Sequence, residues 1–482
     1  MVHGVNERFD FAAPTTAAGD LGATHFIAIG GSGMSGIAAL LHDLGVPISG
    51  CDGAASAAVE RLRAGGVRVD LGHDPAHLRG VATVVVSSAI RETNPELAAA
   101  RGAGLRVLHR AQALASAMSG DTAVAVAGAN GKTTTSAMTV AALRGAGLDP
   151  SFAIGSELAD SGRNSAAGAS PLFVAEADES DGSFLSYRPE IAIVTNVQPD
   201  HLDFYGDFEG VQRAYADFAA SIAPGGLLVA AHDDPGSRAL AARASASGQR
   251  VVTYGEDPAA DVVISAISGR GLSSRARVTR GGLSLDVDVP APGVHNVHNA
   301  VAALTAGWVG LDLDPHALAD GLRAFPGTRR RFERRGSARG VTIVDDYAHN
   351  APKVAALVAG ARAVVEAGAS LRVVFQPHLY SRTRDFAAGF AAGLAGADQV
   401  VLLPVYGARE EPVPGVGSEL IADHLRDLGR PAQLADGPAA AVAALVADAA
   451  PGDLILTVGA GDVTALGPAL LAALATDPTG ES

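Results

Sequence analysis

Gly128, Gly131, Lys132 and Thr133 stand in the run AVAGANGKTTT, directly after an apolar stretch that reads as a buried strand. Those residue types in that order suit a chain of phosphates. Glycines let main-chain N–H groups close around anionic oxygens, a lysine reaches the terminal phosphates and a hydroxyl ligates magnesium. Only the short form G-x-x-G-K-T is present, because Val126 occupies the position of the first glycine in the longer phosphate-loop pattern. A nucleoside triphosphate is the expected ligand. Magnesium requires further oxygen donors. Glu176, closing the apolar run LFVAE, supplies one, whereas Asp178, Glu179 and Asp181 read as a solvated acidic loop. His201 follows another apolar run, IAIVTN, and by pattern alone is an ordinary surface or core histidine.

A second glycine turn lies nearer the start. Gly31, Gly33 and Gly36 form G-x-G-x-x-G after a short apolar run, with Asp52 about twenty residues further on. Such a turn opens a helix whose free N–H groups attract a diphosphate. A UDP group would fit there as well as NAD.

These loops need strands to carry them. Residues 25 to 29, the run ending at Asp52 and VATVVVSSAI each alternate with helical spacing, so the first part of the chain reads as an open, mostly parallel sheet. The pattern restarts at DTAVAVAG, with a helix of about fifteen residues from Gly131. PLFVAE, EIAIVTN and GLLVAA are its further strands, and LSLDVDV alternates apolar with polar as a half-exposed antiparallel strand does. PGTRRRF reads as a hinge, followed by a third α/β series on VTIVDD, LRVVFQP, QVVLLPV and DLILTVG. The fold class is α/β in three domains. Residues 1–119 form a Rossmann-like domain whose first ~20 residues are a flexible tail, 120–327 a central phosphate-loop domain with a small antiparallel β extension, and 328–482 a second Rossmann-like domain.

Composition sets the limits. The 482 residues are 48% hydrophobic and 18% charged, which is globular rather than disordered. A formal charge of -15 argues against nucleic acid, although TRRRFERR supplies local positive charge for a small anion. No apolar run approaches the ~20 residues of a membrane span, and the start lacks a secretory apolar core, so a cytoplasmic location is expected. The single cysteine, Cys51, excludes an intrachain disulfide and a thiolate metal cluster, and reads as a small semi-buried residue.

The motifs GGSGMSGIA, GANGKTTT, AEADESD, TNVQPDHLDFYGDF, HNVHNA, TRRRF, DDYAHN, FQPHLYSRTRDF, AREEPVPGV and GAGDV occur in the order found in the Mur ligases, which the chain resembles over nearly its whole length. FQPHLYSRTRDF and AREEPVPGV point to the branch that adds alanine. The resemblance implies ATP with magnesium or manganese, and UDP-N-acetylmuramate and L-alanine as substrates, in a protein that is a monomer or homodimer. It would place Gly128, Asn130, Gly131, Lys132, Thr133 and Thr134 on ATP, with Thr133, Glu176 and His201 on metal. Asn296 and Asn299 would hold adenine, Arg331 the phosphates and Asp346 the ribose. Tyr347, His349, His378 and Arg382 would line the alanine side. The UDP-sugar would meet Gly33, Met34, Ser35, Gly36, Asp52 and His73, with Ser87, Ser88 and Asn196. Lys132, His201, Arg331, His349 and His378 would carry the chemistry, the three histidines being alternative general bases.

Some positions depart from the pattern. Ala129 and Asn130 replace the middle of the loop usual in the alanine branch, Leu379 replaces an arginine, Asn350 and Ala351 replace a histidine and a proline, and Tyr215 stands where sister ligases carry a carbamylated lysine. Two rivals are a ligase that attaches a preformed peptide in wall recycling and another amino-acid-adding member. An NAD-dependent oxidoreductase would explain the first glycine turn but leave Lys132 and Thr133 without purpose. A nucleotide-binding module without catalysis would have no need of the full phosphate and metal set.

Overall fold

The computed structural model describes residues 8–31, 33–408 and 410–476. The chain divides into two compact units, one of residues up to 267, 275–289 and 294–325, the other of 268–274, 290–293 and everything from 326. The first unit holds two sheets and the second holds one.

The first sheet has five parallel strands in the order Arg68–Leu71, Ile48–Asp52, Thr24–Ile27, Thr83–Val86, Arg106–His109. Its central strands Thr24–Ile27 and Thr83–Val86 are buried at every position, the signature of a parallel sheet covered on both faces. The strand order reverses between these two. Loops leaving their carboxyl ends therefore diverge and open a crevice, where open α/β sheets bind ligands. Gly33 to Gly36 follow one strand and Ser87 and Ser88 follow the other.

The second sheet has ten strands. At its centre Thr122–Ala127 lies between Leu172–Glu176 and Ile191–Val194, parallel to both. The helix Lys132–Gly145 follows Thr122–Ala127, as the restart of the pattern requires. The strands Val262–Arg270, Ser273–Arg280 and Leu283–Val289 extend one edge, each joined to the next by two residues. In the last of them Leu285, Val287 and Val289 are buried and their neighbours are not, matching the alternation of LSLDVDV.

In the second unit six strands run in the order Glu333–Ala338, Val341–Asp346, Leu454–Val458, Leu371–Phe375, Gln399–Leu402, Gln433–Leu434. Only Glu333–Ala338 is antiparallel to its neighbour. It falls within the arginine-rich segment, where charge hid the strand from a reading of apolar runs.

The expected flexible tail needs correction. Residues 1–7 lie outside the described residues, but from Arg8 the segment is anchored by two buried rings, Phe9 and Phe11, with exposed residues between and after them. Phe9 and Phe11 are each 7% exposed and join Ile27, Cys51, Val84 and Leu97 in a core cluster. Both rings pack against His109, with centroids 5.2 and 5.3 Å away. Two aromatic residues so close together bury enough apolar surface to order a short segment. No helix among the described residues is long and apolar enough to cross a membrane.

Candidate active site

The phosphate loop leaves the buried strand Thr122–Ala127 and turns into the helix at Gly131. Gly131 has φ +86, and a Cβ there would lie 2.6 Å from Asn299 Oδ1. Gly128 has φ +141, and a Cβ would lie 2.0 Å from Thr195 Oγ1. Both positions therefore require glycine, for conformation and for space. Asn130 at the tip is held from the side: its N–H donates to Asn196 Oδ1 at 2.9 Å, and its carbonyl accepts from Thr195 Oγ1 at 2.6 Å and Asn196 Nδ2 at 3.0 Å. Asn196, expected at the substrate, thus has its amide engaged by the nucleotide loop. Asn296 and Asn299, each 7% exposed, lie on the helix Val294–Thr305, and Asn299 Nδ2 donates to Asn296 Oδ1 at 3.3 Å.

Lys132 Nζ donates to Gly128 O at 2.7 Å and to Glu179 Oε1 at 2.8 Å. Glu179 is not a solvated loop residue, as its acidic neighbours suggested, for its side chain is only 2% exposed. Burial raises its pKa, against the opposing pull of Lys132. No hydrogen bond reaches Glu179 Oε2 among the described residues. Thr133 Oγ1 donates to Glu176 Oε1 at 2.9 Å, and Gly155 N–H donates to Glu176 Oε2 at 2.5 Å. Thr134 sits half-buried in the first helical turn. His201 Nε2 lies 3.9 Å from Glu179 Oε1 and 3.8 Å from Asp200 Oδ2. Donor atoms of Glu179, Asp200 and His201 fall within 4.8 Å of one another. Glu179, Asp200 and His201, with a buried Glu179 oxygen that no proton donor reaches among the described residues, fit a divalent cation, whereas Thr133 and Glu176 form a separate hydroxyl–carboxylate pair.

A single cavity of about 650 Å³ connects this loop with the first glycine turn. Gly33, Gly36, Ser87 and Ser88 line one part of it, Lys132, Gly155 and Glu176 another. Arg110, which the sequence reading passed over, stands between them. Its NH1 lies 2.7 Å from where a Cβ on Gly33 would be, and its NH2 donates to Asp178 Oδ2 at 3.0 Å. The usable signal was a basic residue immediately after the strand Arg106–His109, at the carboxyl edge of a parallel sheet.

Ser88 donates to Asp181 Oδ2 at 2.6 Å and so accepts from His109 Nε2 at 3.1 Å. Other expected sugar contacts sit differently. Met34 is 2% exposed, its side chain packed in the core. Ser35 belongs to the same first turn, but it and Met34 both donate their main-chain N–H groups to Gly31 O. Asp52 accepts from the N–H of Gly30 at 2.8 Å and of Ala54 at 3.3 Å, which braces the turn. His73 lies beside Cys51, with Nδ1 3.2 Å from Sγ. Asp52 and His73 are not among the residues lining the cavity.

In the second unit, Arg330 holds three carbonyls, those of Gly459, Ala460 and Gly461, and stacks over Tyr347 at 4.7 Å. Arg331 lies 5.8 Å from the same ring. Asp346 accepts from Phe332 N and Ala348 N, each at 2.8 Å, and burial raises its pKa. His349 and Tyr347 are 4.9 Å apart by ring centroid, His349 and His378 6.1 Å, and Arg382 NH1 donates to the carbonyl of His349 at 3.2 Å. These four residues lie close together. Burial lowers the His349 pKa to about 4, so its ring is neutral near pH 7. Leu379 adopts φ 71, an uncommon conformation for leucine, and caps the helix Tyr380–Leu394. Back in the first unit, Tyr215 is 1% exposed and packs edge-on against Phe184, with Glu179 and Asp200 among the charged groups that act on its buried hydroxyl.

Residues 23–122 match the Mur ligase family, catalytic domain, residues 126–307 the Mur ligase middle domain, and residues 330–461 the Mur ligase, glutamate ligase domain. The UDP-N-acetylmuramate--L-alanine ligase of Kineococcus radiotolerans is 53% identical over 96% of this chain and 99% of its own length. The enzyme of the same name from Renibacterium salmoninarum is 50% identical over 95% and 97%. Among solved structures, UDP-N-acetylmuramate-alanine ligase from Thermotoga maritima aligns with TM-score 0.77 and 26% identity, covering 93% of this chain and 98% of that one. A murein peptide ligase from Psychrobacter arcticus shares the fold, with TM-score 0.64 and 24% identity over 94% of this chain and 99% of that one. With all three domains matched in order and relatives this similar along nearly the entire length, the chain belongs to the Mur ligase family.

Proposed function

We propose that the chain joins L-alanine to the lactyl carboxylate of UDP-N-acetylmuramate at the expense of ATP, releasing ADP and phosphate, as a step in making peptidoglycan precursors. The observation that carries this reading is the cavity shared by the two glycine loops. A carboxylate resists attack by an amine because resonance and charge both oppose it. Placed beside the phosphate loop, it can be phosphorylated first, and the acyl phosphate then has a good leaving group. The names of the relatives about half identical to this chain support the choice of substrates.

The resemblance supports the following roles. Gly33 to Gly36, Ser87, Ser88 and Arg110 would hold the UDP-sugar. Gly128 to Thr134 would wrap the ATP phosphates, with Asn296 and Asn299 at the adenine. Lys132 would exchange Glu179 for phosphate and neutralise charge as the phosphoryl group moves. Magnesium or manganese, held by Thr133, Glu176 and His201, would neutralise phosphate charge when bound. Arg331 and Asp346 would serve the nucleotide, and Tyr347, His349, His378 and Arg382 the amino acid. His349 has its Nδ1 on the carbonyl of Tyr347 at 2.8 Å, so its neutral ring keeps Nε2 open to take the proton from the attacking amine.

The test is phosphate release from ATP with UDP-N-acetylmuramate and, in turn, L-alanine, other amino acids and the L-alanyl-γ-D-glutamyl-diaminopimelate tripeptide. Release that depends on both the sugar nucleotide and L-alanine is expected. Release with the tripeptide and not with alanine would transfer the assignment to the recycling ligase, and no release with any acceptor would end it.

A further inference from the structure

A second cluster of chemically able side chains lies in the first sheet, and the reaction above makes no use of it. His25 and Cys51 sit on the adjacent strands Thr24–Ile27 and Ile48–Asp52, Glu96 on the first turn of the helix Pro95–Gly102, and His77 on the short turn Pro75–Leu78. His25, Cys51 and Glu96 are each 0% exposed. One donor atom from each of the four residues lies within 4.8 Å of all the others. We propose that His25, Cys51, His77 and Glu96 form a binding site for zinc or a cation of similar preference, apart from the nucleotide-bound magnesium.

Two features support a cation over a simple polar network. His25 Nδ1 is paired with Ser49 Oγ at 2.9 Å, while its Nε2 is buried with no hydrogen-bond partner among the described residues. In the tautomer where Ser49 accepts the Nδ1 proton, Nε2 presents a lone pair toward Glu96 Oε2, 3.7 Å away. In that tautomer two acceptors face each other in a dry interior, and a cation between them removes the repulsion. A hydrogen bond at Nδ1 is also the usual outer support of a metal-bound imidazole. The second feature is the convergence on Glu96. Its Oε2 accepts from Cys51 Sγ at 2.7 Å, its Oε1 pairs with His77 Nδ1 at 2.6 Å, and the Asp74 N–H donates to Oε1 at 2.9 Å. Two imidazoles, a thiol and a carboxylate are a borderline-soft set that selects zinc over magnesium. Binding would release the Cys51 proton to solvent. His73, its side chain 29% exposed, lies beside the cluster with Nδ1 3.2 Å from Cys51 Sγ.

Cobalt titration of the full chain in excess magnesium tests this directly. Because Cys51 is the only cysteine, a thiolate-to-cobalt charge-transfer band can come from nowhere else within the chain. We expect one such band, saturating at one ion per chain and abolished by one equivalent of zinc. Ser49→Ala should keep the band but weaken cobalt binding by about 10–100-fold, the usual effect of losing an outer-shell partner. His25→Gln should weaken it further, and Ser49→Ala carries the comparison should that variant not fold. A folded wild-type chain that shows no charge-transfer band overturns the proposal, as does unchanged cobalt affinity in Ser49→Ala.

Discussion

His109 should make the first unit acid-sensitive, by an amount that can be worked from its surroundings. Its side chain is 0% exposed, and burial lowers its pKa from the ordinary 6.5 to about 4, with Asp181 opposing and Arg110 adding to the shift. The hydrogen bonds admit only the neutral ring. Nε2 donates to Ser88, and Nδ1 accepts from the Ala111 N–H at 3.3 Å, capping the helix Arg110–Met118. A second proton would set two donors against each other at Nδ1. Since the folded pKa is the lower one, the unfolded chain binds more protons between pH 6.5 and 4. The stabilisation is therefore complete above the unfolded value and is lost as pH falls toward the folded one. The gap is worth about 3 kcal/mol at most. His109→Asn keeps a capping side chain and removes the titration. Urea unfolding of both proteins, followed by the single tryptophan Trp308 in the same unit, should give a stability difference that shifts by about 3 kcal/mol against wild type from pH 7 to pH 4. Groups common to both proteins cancel in that difference. Parallel curves across the whole range would refute the argument.

Other outcomes follow from the same contacts. Lys132→Ala should fold yet lose at least 100-fold, about 3 kcal/mol, of phosphate release, as for a single lost charge-stabilising donor. Gly131→Ala should destabilise by about 1–3 kcal/mol in thermal unfolding, because its φ of +86 strains any side chain and Asn299 occupies the space. Glu176→Gln should raise the magnesium concentration needed for half-maximal phosphate release while leaving UDP-N-acetylmuramate binding by calorimetry near wild type. Phe9→Ala should cost about 3 kcal/mol in chemical unfolding, since the ring is 7% exposed in a packed cluster.

Apolar runs located the central strands of all three sheets, because strands buried on both faces cannot avoid being hydrophobic. Strands with little burial escaped: Arg68–Leu71 is charged and partly exposed, and Glu333–Ala338 is a polar edge. The turn at Gly128 and Gly131 was legible as a strand-to-helix loop, since conformation and space require glycine at both positions. What lay outside the sequence was partnership across distance. Nothing in AEADESD tells Glu179 from its neighbours until the fold sets Lys132 against it, 47 positions away. Asn196 likewise follows a strand like any substrate contact, and only strand adjacency puts it on the loop at Asn130. The count of one cysteine ruled out disulfides and all-thiolate clusters, and it was silent on a mixed set in which Cys51 is one donor among four.

The undivided cavity between the two glycine loops has a use in inhibitor chemistry. Fragments that bind weakly at either loop could be tethered without crossing a protein wall. Joining them turns the second association into an intramolecular one, and avidity can then exceed either affinity by about 100-fold or more when the linker matches the span.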